Sequence, residues 1–208
     1  MRNSADKVID IEKAIRTGNN KLLRSMPGFI VRFIRNLARE DEINAAINRS
    51  RHLEGLPFIK DIIEGWNVEV IIRGGENIPA SGRVIFACNH PVGGMDALAF
   101  YTAIQNYFPS LVSPANQLLN YIPNLRPLVL GLDVFGKASR DTAVRLDRLY
   151  ESDTPVMIFP AGEVSRRKKG VISDITWQKS FISKAVQHRR DIVPVHISGR
   201  NSNLFYNI

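Results

Sequence analysis

Val84-Ile85-Phe86-Ala87-Cys88-Asn89-His90-Pro91-Val92-Gly93-Gly94-Met95-Asp96 is the stretch whose pattern settles the fold class. A short apolar run closed by Asn, Pro and paired glycines reads as a buried strand over residues 83–88. From Asp96 a helical pattern takes over and continues to residue 107. A strand that bends directly into a helix is the repeating unit of an α/β sheet, and such sheets hold their sites beyond the C-terminal ends of the strands. His90 falls at that position.

Outward from this stretch the same alternation recurs. Residues 68–72, 155–159 and 192–197 carry the short β-branched runs of strands, and residues 140–151 and 175–189 read as helices. The expectation is an α/β domain over residues 65–208, a mixed sheet covered by helices, preceded by a helical segment over residues 1–64. Within that segment Pro27 opens a helix on which Phe29, Ile30, Phe33, Ile34 and Leu37 share one face and Arg32, Arg35 and Arg39 the other. Residues 108–137 contain Pro109, Pro114, Pro123 and Pro127, which predicts loops and short helices that shape a substrate groove. The chain closes on Tyr206-Asn207-Ile208 soon after a strand and turn, the pattern expected of a piece of a longer protein.

With 208 residues, 44% hydrophobic and 23% charged, the chain has the balance of a globular domain with a sizeable core, not of a disordered one. Lys and Arg number 28 against 20 acidic residues, a net charge of +8, which points to an anionic partner. A membrane surface, a phosphate-bearing metabolite and nucleic acid all qualify, but no nucleic-acid-binding motif or aromatic platform accompanies the charge, so no nucleic-acid partner is expected. The single cysteine, Cys88, lies inside the apolar run and has no partner for a disulfide, which suits a reducing compartment. No apolar stretch reaches the roughly 18 residues of a transmembrane helix, so contact with a membrane is expected at its surface.

His90 and Asp96 have the chemistry of a general base and its orienting carboxylate: the carboxylate fixes the imidazole tautomer and stabilises the imidazolium formed on taking a proton. On one ideal helix they would stand about 600° apart in rotation, on different faces. Their contact requires a bend, which Pro91, Gly93 and Gly94 supply. The same residues also suit a loop histidine followed by an aspartate capping the next helix.

A second loop follows the strand at 155–159: Phe159-Pro160-Ala161-Gly162-Glu163-Val164-Ser165-Arg166-Arg167-Lys168-Lys169-Gly170. Amides near Gly162 with clustered cations suit a phosphate or oxyanion site, and the cations alone also suit a solvated charge run.

Together these segments resemble the glycerophosphate and lysophospholipid acyltransferase superfamily, most closely its bacterial haemolysin-like branch, which includes lyso-ornithine lipid acyltransferases. The family's Asn-His followed by Asp matches Asn89, His90 and Asp96, and its Phe-Pro-Glu-Gly-Thr-Arg-Ser matches residues 159–165. Val134-Phe135-Gly136-Lys137-Ala138-Ser139-Arg140 stands at its acceptor-binding motif, Ile192-Val193-Pro194-Val195 at its last Val-Pro motif, and Gly199-Arg200-Asn201-Ser202 with Leu204-Phe205-Tyr206 resembles the branch's ending. The chain departs from the pattern in separating His90 from Asp96 by five residues instead of four, and in placing Ala161 and Val164 where the family has Glu and Arg.

The resemblance implies a glycerolipid acyltransferase-like fold and an O-acyltransferase of phospholipid or related lipid metabolism. His90 would be the base and Asp96 its carboxylate. Lys137, Arg140, Gly162, Glu163 and Arg166 would contact substrate, Arg166 holding an anionic group and Glu163 standing in for the missing acid. The donor it implies is acyl-CoA or acyl carrier protein, with no cofactor, and the acceptor a membrane lipid. The basic amphipathic helix after Pro27 adds an anionic membrane surface as partner, at the cytoplasmic face. The altered motifs leave a second expectation, a non-catalytic lipid- or acyl-carrier-binding module on the same fold.

His52, His188 and His196 lack metal-ligand spacing, and with one cysteine no metal site is expected. Trp177 and Phe181 are expected in the core, and Asn201 and Ser202 in a turn.

Overall fold

The computed structural model describes residues 7–17, 21–80, 82–132 and 140–207. The N-terminal part is helical: α1 (Ile11–Thr17), α2 (Lys21–Arg24), α3 (Gly28–Leu37), α4 (Glu40–Arg49) and α5 (Gly55–Gly65). There follow β1 (Val84–Cys88), α6 (Gly94–Ile104), β2 (Ser113–Asn116), β3 (Val129–Leu132), α7 (Arg140–Glu151) and β4 (Val156–Ile158). The chain continues with β5 (Arg166–Lys168), β6 (Val171–Ser173), α8 (Ser180–His188), β7 (Asp191–Val195) and α9 (Asn203–Asn207). This is the expected α/β architecture.

The central sheet has the order β4-β1-β7 with both pairings parallel. A parallel strand in the middle of such a sheet is covered on both faces, which is why β1 is a continuous apolar run without polar alternation. Val84, Phe86 and Cys88 face a core built with Ala46, Ile47, Phe58, Ile59, Ile62 and Ile63 of α4 and α5 and with Phe100, Tyr101 and Ile104 of α6. Ile85 and Ala87 face a second core with Val156, Ile158, Tyr150, Phe181 and Ala185. Phe86 is fully buried and its ring lies 5.1 Å from Phe100 and 6.0 Å from Phe108.

β2 and β3 form a separate parallel pair, tied to β4 through a bridge between Val112 and Val156. β5 and β6 form an antiparallel hairpin across Lys169-Gly170, both at positive φ (50° and 82°). That is the turn geometry that matches strand twist. The charge run of the second loop is therefore one strand of a hairpin.

Several expected elements differ. Residues 68–72 belong to no regular element: Val68 and Val70 pack on the main core, but among the described residues they pair with no strand. The alternation is real in burial, and no neighbouring strand among the described residues satisfies the ladder. The helix expected from residue 175 begins at Ser180, because the preceding residues are tied to the second loop: Gln178 N–H donates to Pro160 O at 2.9 Å and Trp177 Nε1 to Asp174 Oδ2 at 2.9 Å. On α3 the apolar face divides. Val31 is buried and Ile30 and Ile34 are half-buried, whereas Phe29 is 74% and Phe33 51% exposed. Arg35 is not on a solvated face: it turns inward and its Nε donates to the buried Glu40 at 2.9 Å. Lys7 Nζ and Ile11 N–H also donate to Glu40. Burial pushes the Glu40 carboxyl upward, but these donors outweigh it and hold the carboxyl below its ordinary value.

Arg190, buried after the left-handed turn at Arg189 (φ 51°), stitches the α7–β4 connection to the sheet. Its guanidinium donates to the carbonyls of Leu149, Tyr150, Ser152, Thr154 and Val84.

Candidate active site

The loops after β1 and β4 emerge side by side, because those strands are parallel neighbours. They bring residues 89–93 against residues 159–165. His90 O accepts from Ser165 N–H at 2.8 Å, and the His90 ring stacks on Phe159 with 4.1 Å between ring centres.

Five residues of spacing are accommodated by a bend at Gly93, whose φ of 102° and ψ of −135° an L side chain rarely adopts. Asp96 thereby lies in the first turn of α6 with its side chain folded back. Its Oδ2 lies 2.9 Å from His90 Nδ1 and accepts from Val92 N–H and Gly93 N–H at 2.9 Å each. One carboxylate thus meets the imidazole and also caps the helix from its first turn, the N-cap position itself being Gly93. Asp96 is 1% exposed and the His90 side chain 17%. Because the carboxylate is held by amide donors, its share of the bond to Nδ1 is that of acceptor, which places the ring proton on Nδ1 and leaves Nε2 to take a proton.

The other predicted residues are more dispersed. Glu163 and Arg166 pair with each other at 4.0 Å with side chains 46% and 47% exposed, and Arg166 also lies over the Phe205 ring at 5.2 Å. Neither touches His90 or Asp96. Gly162 N–H donates to Phe159 O at 2.9 Å, so that glycine's own amide is engaged within the protein. Arg140 opens α7 and is exposed. Lys137 lies outside the described residues. Cys88 is fully buried, and burial with the nearby Asp96 raises its thiol far above the ordinary value, so it is no nucleophile.

Contacts not foreseen in the sequence complete the loop. Asn89 pairs both ways with the backbone of Ile197, donating to its carbonyl at 3.0 Å and accepting from its N–H at 2.6 Å. Asn201, expected in a turn, reaches back to the carbonyls of Pro91 and Val92 at 3.1 and 3.3 Å. Tyr206 Oη accepts from Asn201 N–H at 3.0 Å. Asp174 accepts from His90 N–H at 3.2 Å and Ser165 Oγ at 2.5 Å. Asn89, Asn201 and Tyr206 lie within motifs quoted for other reasons, whereas Asp174 lies in none. Beside the histidine's backbone, Asn89, Pro91, Ser165, Asp174, Trp177 and Ile197 help to line an open cavity of about 690 Å³.

A family model described as acyltransferase matches residues 13–208 of this chain. A lyso-glycine lipid O-acyltransferase of Bacteroides thetaiotaomicron is 37% identical over 202 residues, 97% of this chain and 74% of that protein. A protein of the same name from Phocaeicola vulgatus is 36% identical over 202 residues, 97% of this chain and 72% of its own length. No solved structure matches the chain.

Proposed function

The chain belongs to the acyltransferase family, and from that premise we propose that it moves a fatty acyl group from an acyl thioester to the hydroxyl of a lysolipid-type acceptor. The observation that carries the mechanism is the 2.9 Å contact between His90 Nδ1 and the buried Asp96 carboxylate. Nε2 takes the proton of the acceptor hydroxyl as its oxygen attacks the thioester carbonyl. The C–S bond then breaks, and the thiol leaves with the proton that the imidazolium returns. Asp96 stays ionised and stabilises the imidazolium. The names of the two relatives support a lyso-glycine lipid or similar single-chain acceptor. The thiol carrier is coenzyme A or acyl carrier protein.

An acceptor of this kind resides in a bilayer, and α3 supports docking at an anionic membrane surface. Phe29, Phe33 and Leu37 project into solvent beside the exposed Arg32 and Arg39, so apolar burial and charge attraction act together.

The test is an acceptor screen with labelled acyl-CoA and acyl carrier protein donors and identification of the product by mass. The reading requires an acyl ester of the acceptor. Binding of acceptors without any ester, across lyso-glycine and other lysolipids and with either donor, would replace it with a non-catalytic lipid-binding module.

A further inference from the structure

We infer that Asp174 is a positioning residue for His90, holding the histidine's backbone to the second loop; this rests on the proposed role of His90 as base. The contact set is unusual for a residue that merely ends a strand. Asp174 follows β6 directly, yet its Oδ1 reaches His90 N–H, 84 positions away in the chain, at 3.2 Å and Ser165 Oγ at 2.5 Å. Its Oδ2 accepts from Trp177 Nε1 at 2.9 Å.

All three partners are donors. A carboxylate, which only accepts, is the side chain that satisfies them together. Ser165 closes the arrangement from the other side, its N–H donating to His90 O at 2.8 Å. Both backbone polar groups of His90 are thus fixed by the Ser165–Asp174 pair.

The clamp is anchored outside the loops. Trp177 packs on the core formed by Ile85, Val156, Ile158 and Phe181, so a path of direct contacts runs from that core through the indole and the Asp174 carboxylate to the His90 backbone. Asp96 and Phe159 fix only the ring, through Nδ1 and through stacking. A base in a loop with adjacent glycines needs its backbone held as well as its ring, because proton transfer demands the right approach of Nε2 and displacement of about 1 Å costs rate steeply.

Asp174→Asn tests this with little change of shape. Its amide group must point a donor at the Trp177 indole or at His90 N–H, so one contact is lost. The expected result is a kcat lowered about 10- to 100-fold with KM values for donor and acceptor within about threefold and a folded protein whose thermal midpoint falls by only a few degrees. In ¹⁵N-histidine-labelled protein the His90 Nδ1–H signal is expected to shift or broaden. Ser165→Ala, which keeps the backbone bond to His90 O, should give a smaller change of the same kind and serves if Asp174→Asn does not fold. A His90 signal unmoved in the variants overturns the inference. A displaced signal with full turnover upholds it and instead removes His90 from the chemistry.

Discussion

Asp96→Asn isolates the charge of the buried carboxylate. Asparagine can keep an oxygen where Oδ2 accepts from Val92 and Gly93 amides and meets His90 Nδ1 at 2.9 Å, so the loop keeps its shape. What disappears is the negative charge facing the imidazolium as the base takes its proton. Unit charges about 4 Å apart at an effective dielectric near 20 attract by about 4 kcal/mol. At about 1.4 kcal/mol per decade this corresponds to a rate loss of about 10³-fold. With the Asp96 side chain 1% exposed, solvent offers little replacement. The assay is release of free thiol from acyl thioester in the presence of acceptor, measured in single turnover, alongside thermal unfolding. A folded Asp96→Asn protein within about tenfold of the parent rate would refute the reasoning.

Further outcomes follow from the rest of the structure. With Phe29 74% and Phe33 51% exposed, changing both to Ser should forfeit about 2–3 kcal/mol of interfacial burial and weaken binding to anionic vesicles about 30- to 150-fold; unchanged vesicle sedimentation removes α3 from membrane docking. Arg190→Met strands several carbonyls inside the α7–β4 connection and should cost about 3 kcal/mol, a fall in Tm of about 6–12 °C; an unchanged melting curve contradicts that. Glu40 has a folded pKa below its unfolded one, so its stabilisation is present above the unfolded value and fades as pH falls through the folded value, in the acid range. Glu40→Gln should therefore lower stability at neutral pH by about 2 kcal/mol and flatten this part of the acid unfolding profile; a profile identical to the parent's would count against the contact with Lys7 and Arg35.

The strongest features of the fold are those whose cause is local. β1 is legible because burial on both faces demands an unbroken apolar run, and α7 spans Arg140–Glu151 as its periodicity predicts. Residues 68–72 show the opposite case: alternation marks a face, but a strand also needs a partner edge, which no local pattern supplies. Likewise the contact of His90 with Asp96 follows from the bend that Pro91 and Gly93 impose, while Asp174, Asn89 and Asn201 act on backbone groups far along the chain. Backbone targets have no residue identity, so even where the side chain stands in a motif, as Asn89 and Asn201 do, its partner is not marked in the sequence. Arg190 is hidden for the same reason: its five carbonyl partners make a buried arginine look, in sequence, like any surface charge.

Proton transfer at His90 Nε2 is the central step of the proposed reaction. Its most direct measurement is formation of labelled acyl ester by His90→Ala protein with a lyso-glycine lipid acceptor and acyl thioester donor, beside the parent at equal folded concentration. Ester from the parent and none above background from His90→Ala is the predicted result; ester formation retained in His90→Ala at a rate near the parent's contradicts it.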